Sequence, residues 1–474
     1  MPGRGVLLPC LTSGVTLLGV GLFAITPPSP VAEYHAVRLA STDTGDSPLG
    51  DGTAFVLGGS GLETPSQTYA NIVDTDYLAP RDFTGTTQVL TTPEALYPFL
   101  GPFTETFDKS EAQGQQILDT AILNQIAEGH VDAANPVVVF GWSQSSVISS
   151  LLQQQLASQG VPSDDVHFVL VGNESAPNGG ILERFDLPAD TQPNIPSLGL
   201  TFSGSEPNDL FPTDVYTHEY DGFADFPQYP IDPLSDINAM LGIAFEHTTY
   251  LGLTPEQVQG AIQLPTSAAD TLTNYYMIPD TTLPLLEPLQ LIPFIGNPLA
   301  DLLNPDLSVL VNLGYGNVAD NYLGGWSQGD ADIPTTLGFL PSSSVLEQVP
   351  QALINGFSQG LSTAVNDLMS PSNYVYSLPE WADELVKSAA FIPGTQLSVL
   401  SFVPTTLQDL FDTFPPHTGF PPLDVASALL VTLPELDYNV FMTELAANDP
   451  VDAIGIPIAA DLGILPLALL GAAL

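Results

Sequence analysis

Basic residues are scarce in this chain of 474 residues, which has 6 lysines and arginines against 53 aspartates and glutamates. The formal net charge is -47 at pH 7. Phosphate groups would be repelled by such a protein, so the charge excludes nucleic-acid binding and argues against charge-driven docking on anionic lipid. Because 44% of the residues are hydrophobic, the chain is not a disordered acidic segment. The composition indicates an acidic globular protein with a sizeable core.

Cysteine is also scarce, since Cys10 is the only one in the sequence. An intrachain disulfide, a cysteine zinc site and a cysteine nucleophile in the body of the protein are therefore excluded. The six histidines do not form, with aspartates and glutamates, any cluster that has the sequence spacing of a metal site. The sequence thus predicts no metal and no cofactor.

One segment has the pattern of a strand, a sharp turn and a helix. Val137–Phe140 is a short run of apolar, mostly β-branched residues, which is typical of a buried parallel strand. Apolar residues then recur at helical spacing over 147–156. The turn between them reads GWSQS (141–145), with small residues at both ends, as a nucleophile elbow requires. The pattern predicts an α/β-hydrolase with Ser143 as nucleophile and the backbone N–H of Gln144 as an oxyanion donor.

Two other pentapeptides fit the strict G-x-S-x-G pattern, GWSQG around Ser327 and GFSQG around Ser358. Ser327 has neither a predicted strand before it nor a helix after it. Ser358 lies inside one long helical pattern. Because the elbow needs a strand, a turn and a helix, Ser143 is preferred to both.

The base of a serine hydrolase is a histidine that follows the nucleophile and the acid in this fold. His247 lies at the end of a helical segment (237–245), beyond the predicted strands, and is preferred; His417 is the alternative. The other four histidines are less suitable. His35 and His130 precede Ser143, His167 follows it too closely, and His218 lies within a predicted strand.

The orienting carboxylate is expected in the loop after the predicted strand Val215–Tyr220. That loop contains two candidates, Asp221 at the strand end and Asp225 four residues later. Hydrolase acids usually occupy a turn after the strand, so Asp225 is favoured. Asp221 stays open as the alternative, because an aspartate can also serve as a turn former.

A Gly-rich loop follows the first predicted strand, 53–57, and reads GGSG (58–61). No lysine and no P-loop pattern accompany this loop, so phosphate binding is not favoured. In an α/β-hydrolase the second oxyanion donor comes from such a loop. Gly59 and Ser60 are therefore the candidates for this role.

The chain divides into four predicted regions. A mostly apolar stretch over 6–25 predicts a secretory signal or a membrane anchor, and the last 22 residues are apolar enough either to contact lipid or to pack on the body. The regions are a signal or anchor (1–32), a polar linker (33–52), an α/β-hydrolase domain with a mostly parallel sheet (53–328) and a helical, Pro- and Leu-rich extension or cap (329–474).

Several motifs in order resemble one known family. They are VLGGSG (56–61), EAQGxxxL (111–118), GWSQS (141–145), FVLVGN with the following PNGGILxRF (168–185), YDGFADFP (220–227) and HTTY (247–250). Together they resemble the PE-PPE domain of mycobacteria, a serine α/β-hydrolase similar to cutinases and lipases. The resemblance supports Ser143 and His247 and does not choose between Asp221 and Asp225.

The resemblance implies an esterase or lipase that acts on acyl ester or lipid substrates. It also implies a secreted or membrane-anchored protein of the cell envelope, outside the cytoplasmic membrane. Two alternatives stay open: an acyltransferase of envelope glycolipids with the same triad, and an inactive envelope-binding protein.

Overall fold

The structure is a computed structural model that describes residues 49–267, 271–292, 295–318, 323–370, 379–388, 391, 417–419 and 421–473. The predicted signal or anchor (1–32) lies outside the described residues, as does most of the predicted linker. At the linker's end Leu49 is fully buried, and its N–H donates to the carbonyl of Arg81.

A seven-stranded sheet forms the centre of the fold. Six of its strands are parallel, and only the edge strand β8 runs antiparallel to its neighbour. The strands lie across the sheet in the order β2 (Thr86–Val89), β1 (Thr53–Val56), β3 (Val137–Trp142), β4 (Val166–Val171), β7 (Thr213–His218), β9 (Thr273–Ile278) and β8 (Ile262–Gln263). This topology confirms the predicted α/β-hydrolase fold with its mostly parallel sheet.

The central strands β3 and β4 are paired from Val137↔Val166 to Trp142↔Val171, and every residue of both is buried. Helices cover both faces of a parallel sheet, so its central strands are apolar throughout rather than alternating. For this reason the run VVVF (137–140) could be recognised as a buried strand from the sequence.

The sheet also contains strands that the sequence did not predict. One is the edge strand β2, whose sequence TTQV is polar and whose residues alternate between exposed and half-buried. Another is β9, which begins 26 residues after His247. The prediction that His247 lies beyond all the strands is therefore wrong. The sequence LGLTF at 198–202 also predicts a strand of the sheet, and this prediction is wrong. Only Leu200–Thr201 is a strand (β6), and it pairs with Asn194–Ile195 (β5) outside the main sheet.

Helices surround the sheet and make up the C-terminal part of the chain. Those from the first part are α1 (Gln67–Val73), α2 (Phe107–Glu128), α3 (Gln144–Gln159), α4 (Ile181–Arg184), α5 (Pro233–Phe245), α6 (Pro255–Gln259), α7 (Glu287–Gln290) and α8 (Gly296–Leu313). Those that follow are α9 (Ser343–Leu346), α10 (Val349–Met369), α11 (Glu380–Ser388), α12 (Pro421–Ser427), α13 (Leu433–Ala446) and α14 (Pro450–Ala473).

Each face of the sheet has its own apolar core, because successive strand residues point to opposite faces. Val138 and Phe140 of β3 pack in one cluster with Tyr69 of α1. Val137 and Val139 pack in the other with residues of α2 and α3, such as Leu118 and Leu152.

The C-terminal helices pack against the hydrolase body. Helix α10 lies along α8, and α14 contacts α13, α12 and α5. Ile456 of α14 shares a cluster with Phe185 and Phe226, and a side-chain carbon added at Gly463 would lie 3.2 Å from Phe226. By length and composition Pro450–Ala468 could cross a membrane, but a core helix passes the same test.

Candidate active site

Ser143 stands at the turn between β3 and α3. Its backbone has φ 57° and ψ -125°, and a positive φ is uncommon for a residue with a side chain. The turn explains its small neighbours, since a side-chain carbon on Gly141 would lie 2.8 Å from the Ser145 carbonyl oxygen. The Ser145 hydroxyl itself accepts a hydrogen bond from the Trp142 N–H at 2.8 Å. The strand, turn and helix of an elbow are all present.

His247 lies beside this serine. Its Nε2 is 2.8 Å from Ser143 Oγ, and its Nδ1 is 2.9 and 2.8 Å from the two carboxylate oxygens of Asp221. The three side chains are buried. A hydroxyl, an imidazole and a carboxylate thus form one continuous hydrogen-bonded chain.

The carboxylate at His247 is Asp221, so the preference for Asp225 is corrected. Asp221 also accepts hydrogen bonds from the Phe223 N–H at 3.0 Å and the Tyr250 hydroxyl at 2.8 Å. Asp225 turns away and accepts from the Tyr220 N–H at 3.0 Å. Tyr220 has φ 65°, and this left-handed residue separates the strand from the loop and directs Asp221 towards His247.

The pair His247 and Asp221 is poised with an ionised carboxylate. Burial raises the pKa of Asp221, but the charge of His247 and its hydrogen bond outweigh burial and hold that pKa below its usual value. Burial lowers the pKa of His247, but the charge of Asp221 and its hydrogen bond raise it above 6.5, with a smaller contribution from Glu174. The imidazole is thus a stronger base than an isolated histidine.

The predicted oxyanion residues border the same turn. A side-chain carbon on Gly59 would lie 3.1 Å from the Ser143 Cβ, so only glycine lets this loop approach so closely. The Ser60 hydroxyl donates to Gln144 Oε1 at 3.1 Å. Gln144 in turn donates from Nε2 to the Ala95 carbonyl at 3.0 Å. These bonds fix the Gly-rich loop to the first turn of α3.

Glu174 is a site residue that the sequence reasoning missed. It follows β4, and its Oε1 accepts a hydrogen bond from Ser143 Oγ at 3.1 Å. Burial raises the pKa of Glu174 to about 7, although the charge of His247 and the hydrogen bond from Ser143 lower it. Its position could have been noticed in the sequence, because Glu174 comes just after β4, and the carboxyl ends of β3 and β4 lie side by side in the sheet.

The alternative serines and histidine lie elsewhere. Ser327 accepts a hydrogen bond at 2.7 Å from Nη2 of Arg184, a fully buried guanidinium. Ser358 lies on the exposed side of α10 and donates to the Ile354 carbonyl. The ring of His417 donates from Nδ1 to the Ser197 carbonyl and packs on Tyr97. None of the three contributes to the hydrogen-bonded chain of Ser143.

A cavity with a mostly apolar lining extends from this site to the C-terminal helices, and we call it the apolar cavity. Its volume, including space open to solvent, is about 850 Å³, and Glu174 is the only polar residue in the lining that the described part of the chain provides. Phe223 lines it and also packs edge-on against the His247 ring at 4.8 Å. The hydrolase body contributes residues such as Phe107, Leu182 and Phe202, and the C-terminal helices contribute Val425, Ala428, Leu429, Leu433, Ile464, Leu467 and Ala468.

Comparison with known proteins places this fold and site in a family. The PE-PPE domain matches residues 84–316. The PPE family protein PPE28 of Mycobacterium tuberculosis is 36% identical over 469 residues, which is 94% of this chain and 68% of PPE28. The chain belongs to the PE-PPE domain family. This assignment confirms the resemblance seen in the motifs.

Other relatives of this PE-PPE domain protein come from the same organism. The esterase PE16 is 39% identical over 380 residues, covering 77% of this chain and 65% of PE16. The diacyltrehalose acyltransferase Chp2 is 29% identical over 163 residues, covering 33% of this chain and 45% of Chp2. The chain thus spans about two thirds of PPE28 and PE16 and less of Chp2.

Among solved structures, a cutinase-like protein from Cryptococcus sp. matches 38% of this chain and 82% of its own length. The TM-score is 0.26 and the identity is 16%. The fold assignment therefore rests on the sheet topology described above.

Proposed function

We propose that this protein is a serine esterase of the lipase type that acts on acyl esters through Ser143, His247 and Asp221. The observation that carries the proposal is the chain of hydrogen bonds from Ser143 Oγ to His247 and on to Asp221. The similarity to the esterase PE16 supports the reaction class. A hydroxyl beside a base, with that base oriented by a buried carboxylate, is the general arrangement of an activated nucleophile.

The reaction proceeds through an acyl-enzyme. Ser143 Oγ attacks the ester carbonyl carbon while His247 Nε2 takes the hydroxyl proton, and Asp221 stabilises the resulting imidazolium. The backbone N–H groups of Gln144 and of the Gly59–Ser60 loop hold the oxyanion. His247 then gives its proton to the leaving alcohol. Water, activated by the same imidazole, releases the acid.

Glu174 adds a second acceptor for the Ser143 hydroxyl. When Glu174 is ionised, its Oε1 competes with His247 Nε2 for the single hydroxyl hydrogen. When Glu174 is protonated it donates to Ser143 Oγ instead and leaves that hydrogen for His247. Glu174 therefore tunes the nucleophile rather than acting as its base.

The substrate's acyl chain is proposed to occupy the apolar cavity. Eighteen of its nineteen lining residues are apolar, and transfer of an alkyl chain into such surroundings is favourable by about 0.8 kcal/mol for each CH₂ group. The cavity reaches the site through Phe223 and Glu174. Helices of the C-terminal region line its far side, which supports the proposal that this region is a cap.

Acyl transfer to an alcohol is the second candidate. It is favoured by the burial of the nucleophile, since Ser143 is only 5% exposed and an apolar lining limits the access of water to the acyl-enzyme. The similarity to the acyltransferase Chp2 supports it as well. The acceptor class would then be a sugar alcohol such as the trehalose unit of a glycolipid.

Labelling with a fluorophosphonate tests the nucleophile. The purified protein is compared with Ser143→Ala and with Ser327→Ala as the matched control. We expect loss of label only in Ser143→Ala. Label that persists in Ser143→Ala and disappears in Ser327→Ala would reject the assignment, and an unlabelled parent would favour an inactive fold.

Product analysis separates the two reactions. A long-chain p-nitrophenyl ester is turned over with and without millimolar trehalose, and free acid and acyl sugar are measured by mass spectrometry. Hydrolysis predicts free acid at an unchanged rate. Acyl sugar formed at the expense of free acid would favour the transferase.

A position in the cell envelope, outside the cytoplasmic membrane, is proposed as well. One support within the described residues is the exposed apolar side of α14, including Val451, Ile454 and Ile458. Fractionation of cells that express the full chain tests it, and recovery only with cytosolic proteins would reject it.

A further inference from the structure

A second cavity lies at the carboxyl ends of β7 and β9, and its lining is acidic; we call it the acidic cavity. It has an empty volume of about 1320 Å³ and an open mouth. Among the residues that the structure describes, this lining contains five carboxylates and one histidine but neither lysine nor arginine. They are His218, Glu246, Asp280, Glu287, Glu380 and Glu384.

Three of these side chains converge on one point. One ligand atom from each of His218, Glu246 and Asp280 lies within 4.8 Å of the other two. His218 Nδ1 is 3.1 Å from Glu246 Oε2. Two ligands of a tetrahedral zinc ion, at bonds of about 2.0–2.1 Å, are separated by roughly 3.4 Å. The separation of His218 and Glu246 therefore fits a shared ion, and the Asp280 oxygen lies within 4.8 Å of both.

The polar atoms of this cluster lack hydrogen-bond partners. Neither ring nitrogen of His218 makes a hydrogen bond of acceptable geometry among the described residues, although the side chain is only 4% exposed and Nδ1 lies 3.1 Å from Glu246 Oε2. Glu246 Oε1 is likewise without a donor, and Glu246 is 1% exposed. Asp280 Oδ2 is the third such atom. Buried polar groups are almost always paired, so three unpaired groups that line one cavity point to a ligand that the protein itself does not supply.

We propose that His218, Glu246 and Asp280 bind a divalent cation of the zinc type. Imidazole nitrogen together with carboxylate oxygen is a ligand set for zinc, whereas Ca²⁺ takes oxygen ligands. Glu287 lines the same cavity, and its Oε2 is also buried without a partner, so it is the candidate for the fourth position.

The proposed ligands come from separate elements of the fold. For this reason the sequence contains no motif with the spacing of a metal site. His218 ends β7, Glu246 follows α5, and Asp280 follows β9. Two of them adjoin residues of the active site: Glu246 directly precedes His247, and His218 lies three residues before Asp221. The cation thus fixes the two loops that present His247 and Asp221, and its role is to position them.

Zinc binding by the full chain tests the proposal directly. The protein is treated with a chelator, dialysed against Zn²⁺ at pH 7, and analysed for bound metal and for thermal unfolding. We expect about one tightly bound zinc per chain and a higher Tm than in chelator, because a ligand that binds only the folded state stabilises it. Ca²⁺ at the same concentration is expected to give no comparable rise.

Substitutions within the cavity provide the controls. Glu246→Gln and Asp280→Asn should both lose the bound zinc and the zinc-dependent rise in Tm. Glu384→Gln, in the same lining, should keep them, because Glu384 Oε1 already accepts a hydrogen bond from Gln257 at 2.6 Å.

Folding of the variants is verified in chelator, where loss of one carboxylate from the cluster should leave Tm unchanged or raise it. Equal zinc content in the parent, Glu246→Gln and Asp280→Asn would overturn the proposal. So would equal Tm of the parent with zinc and with chelator, and the carboxyl groups would then share protons instead.

Discussion

The apolar cavity and the acidic cavity both border the segment that carries Asp221, through Phe223 and His218 respectively, and they treat buried carboxyl groups in opposite ways. The apolar cavity contains one, Glu174, which is hydrogen-bonded to Ser143. The acidic cavity gathers five, and Glu246, Asp280 and Glu287 each have one buried oxygen without a donor among the described residues. We propose that the first cavity receives an alkyl chain and that the second holds a cation.

The difference shows what burial demands of a charged group. Asp221 is fully buried and ionised because a histidine, a tyrosine hydroxyl and a backbone N–H all face it. Glu246, one residue from His247, is equally buried without such donors. A buried carboxylate must have donors, a cation or a proton.

Removing the charge of Asp221, the carboxylate that orients His247, should have the largest effect. Asp221→Asn should lower kcat/KM by about 10⁴-fold, because an amide favours the wrong imidazole tautomer and cannot stabilise the imidazolium. Asp225→Asn is the matched control in the same loop and should remain within about tenfold of the parent. Ester hydrolysis by the purified proteins measures both, and a larger loss in Asp225→Asn would restore the original assignment.

Filling the apolar cavity with a larger side chain should have the next largest effect. Leu433→Trp should reduce kcat/KM for a long-chain ester by roughly 10–100-fold and spare a short-chain ester, because the indole occupies space that the alkyl chain needs. Met442 lies on the same helix and is 45% exposed, so Met442→Trp serves as the control. Equal losses on both esters would mean that the acyl chain binds elsewhere.

Neutralising the single carboxyl group of the apolar cavity should have a smaller, pH-dependent effect. The charge of Glu174 contributes to the raised pKa of His247, so Glu174→Gln lowers that pKa. Since neutral His247 is the base, the acid limb of the kcat/KM profile moves to lower pH, with a gain of up to roughly threefold near pH 7, where Glu174 of the parent becomes charged.

Glu206→Gln provides the control for this shift. Glu206 is also buried and is bonded to Asn173, the residue before Glu174, but it does not contribute to the pKa of His247. Its acid limb should coincide with that of the parent. An unmoved limb in Glu174→Gln, or an equal shift in both variants, would contradict the role given to Glu174.

The smallest expected effect is on stability as a function of pH. Burial raises the pKa of Glu94, Glu206 and Asp236 to about 8 each. The folded state therefore holds protons that the unfolded state has released above about pH 4.3, so stability decreases as pH rises from about 5 to 9. Thermal unfolding in chelator should show a fall in Tm on the order of 5 °C over this range. A Tm that rises with pH would mean that donors satisfy these groups.

Local signals made the fold and the nucleophile predictable. The buried runs of β3 and β4 are apolar because helices cover both faces of the sheet, and the elbow needs small residues at 141 and 145 for steric reasons that act within five residues. The polar edge strand β2 carries no such signal. Strand β2 forms because its backbone pairs with β1, and this pairing leaves no pattern in the local sequence.

The α/β-hydrolase class, the Ser143 elbow and the candidate loops for His247 and the acid could be predicted from the sequence, because they depend on short-range spacing and on order along the chain. The choice between Asp221 and Asp225 needed the folded structure, because the direction of a side chain follows from backbone angles at Tyr220 and from the donors that surround it. The folded structure alone brought Glu174 to Ser143 and gathered His218, Glu246 and Asp280, since those contacts join elements that are distant in sequence.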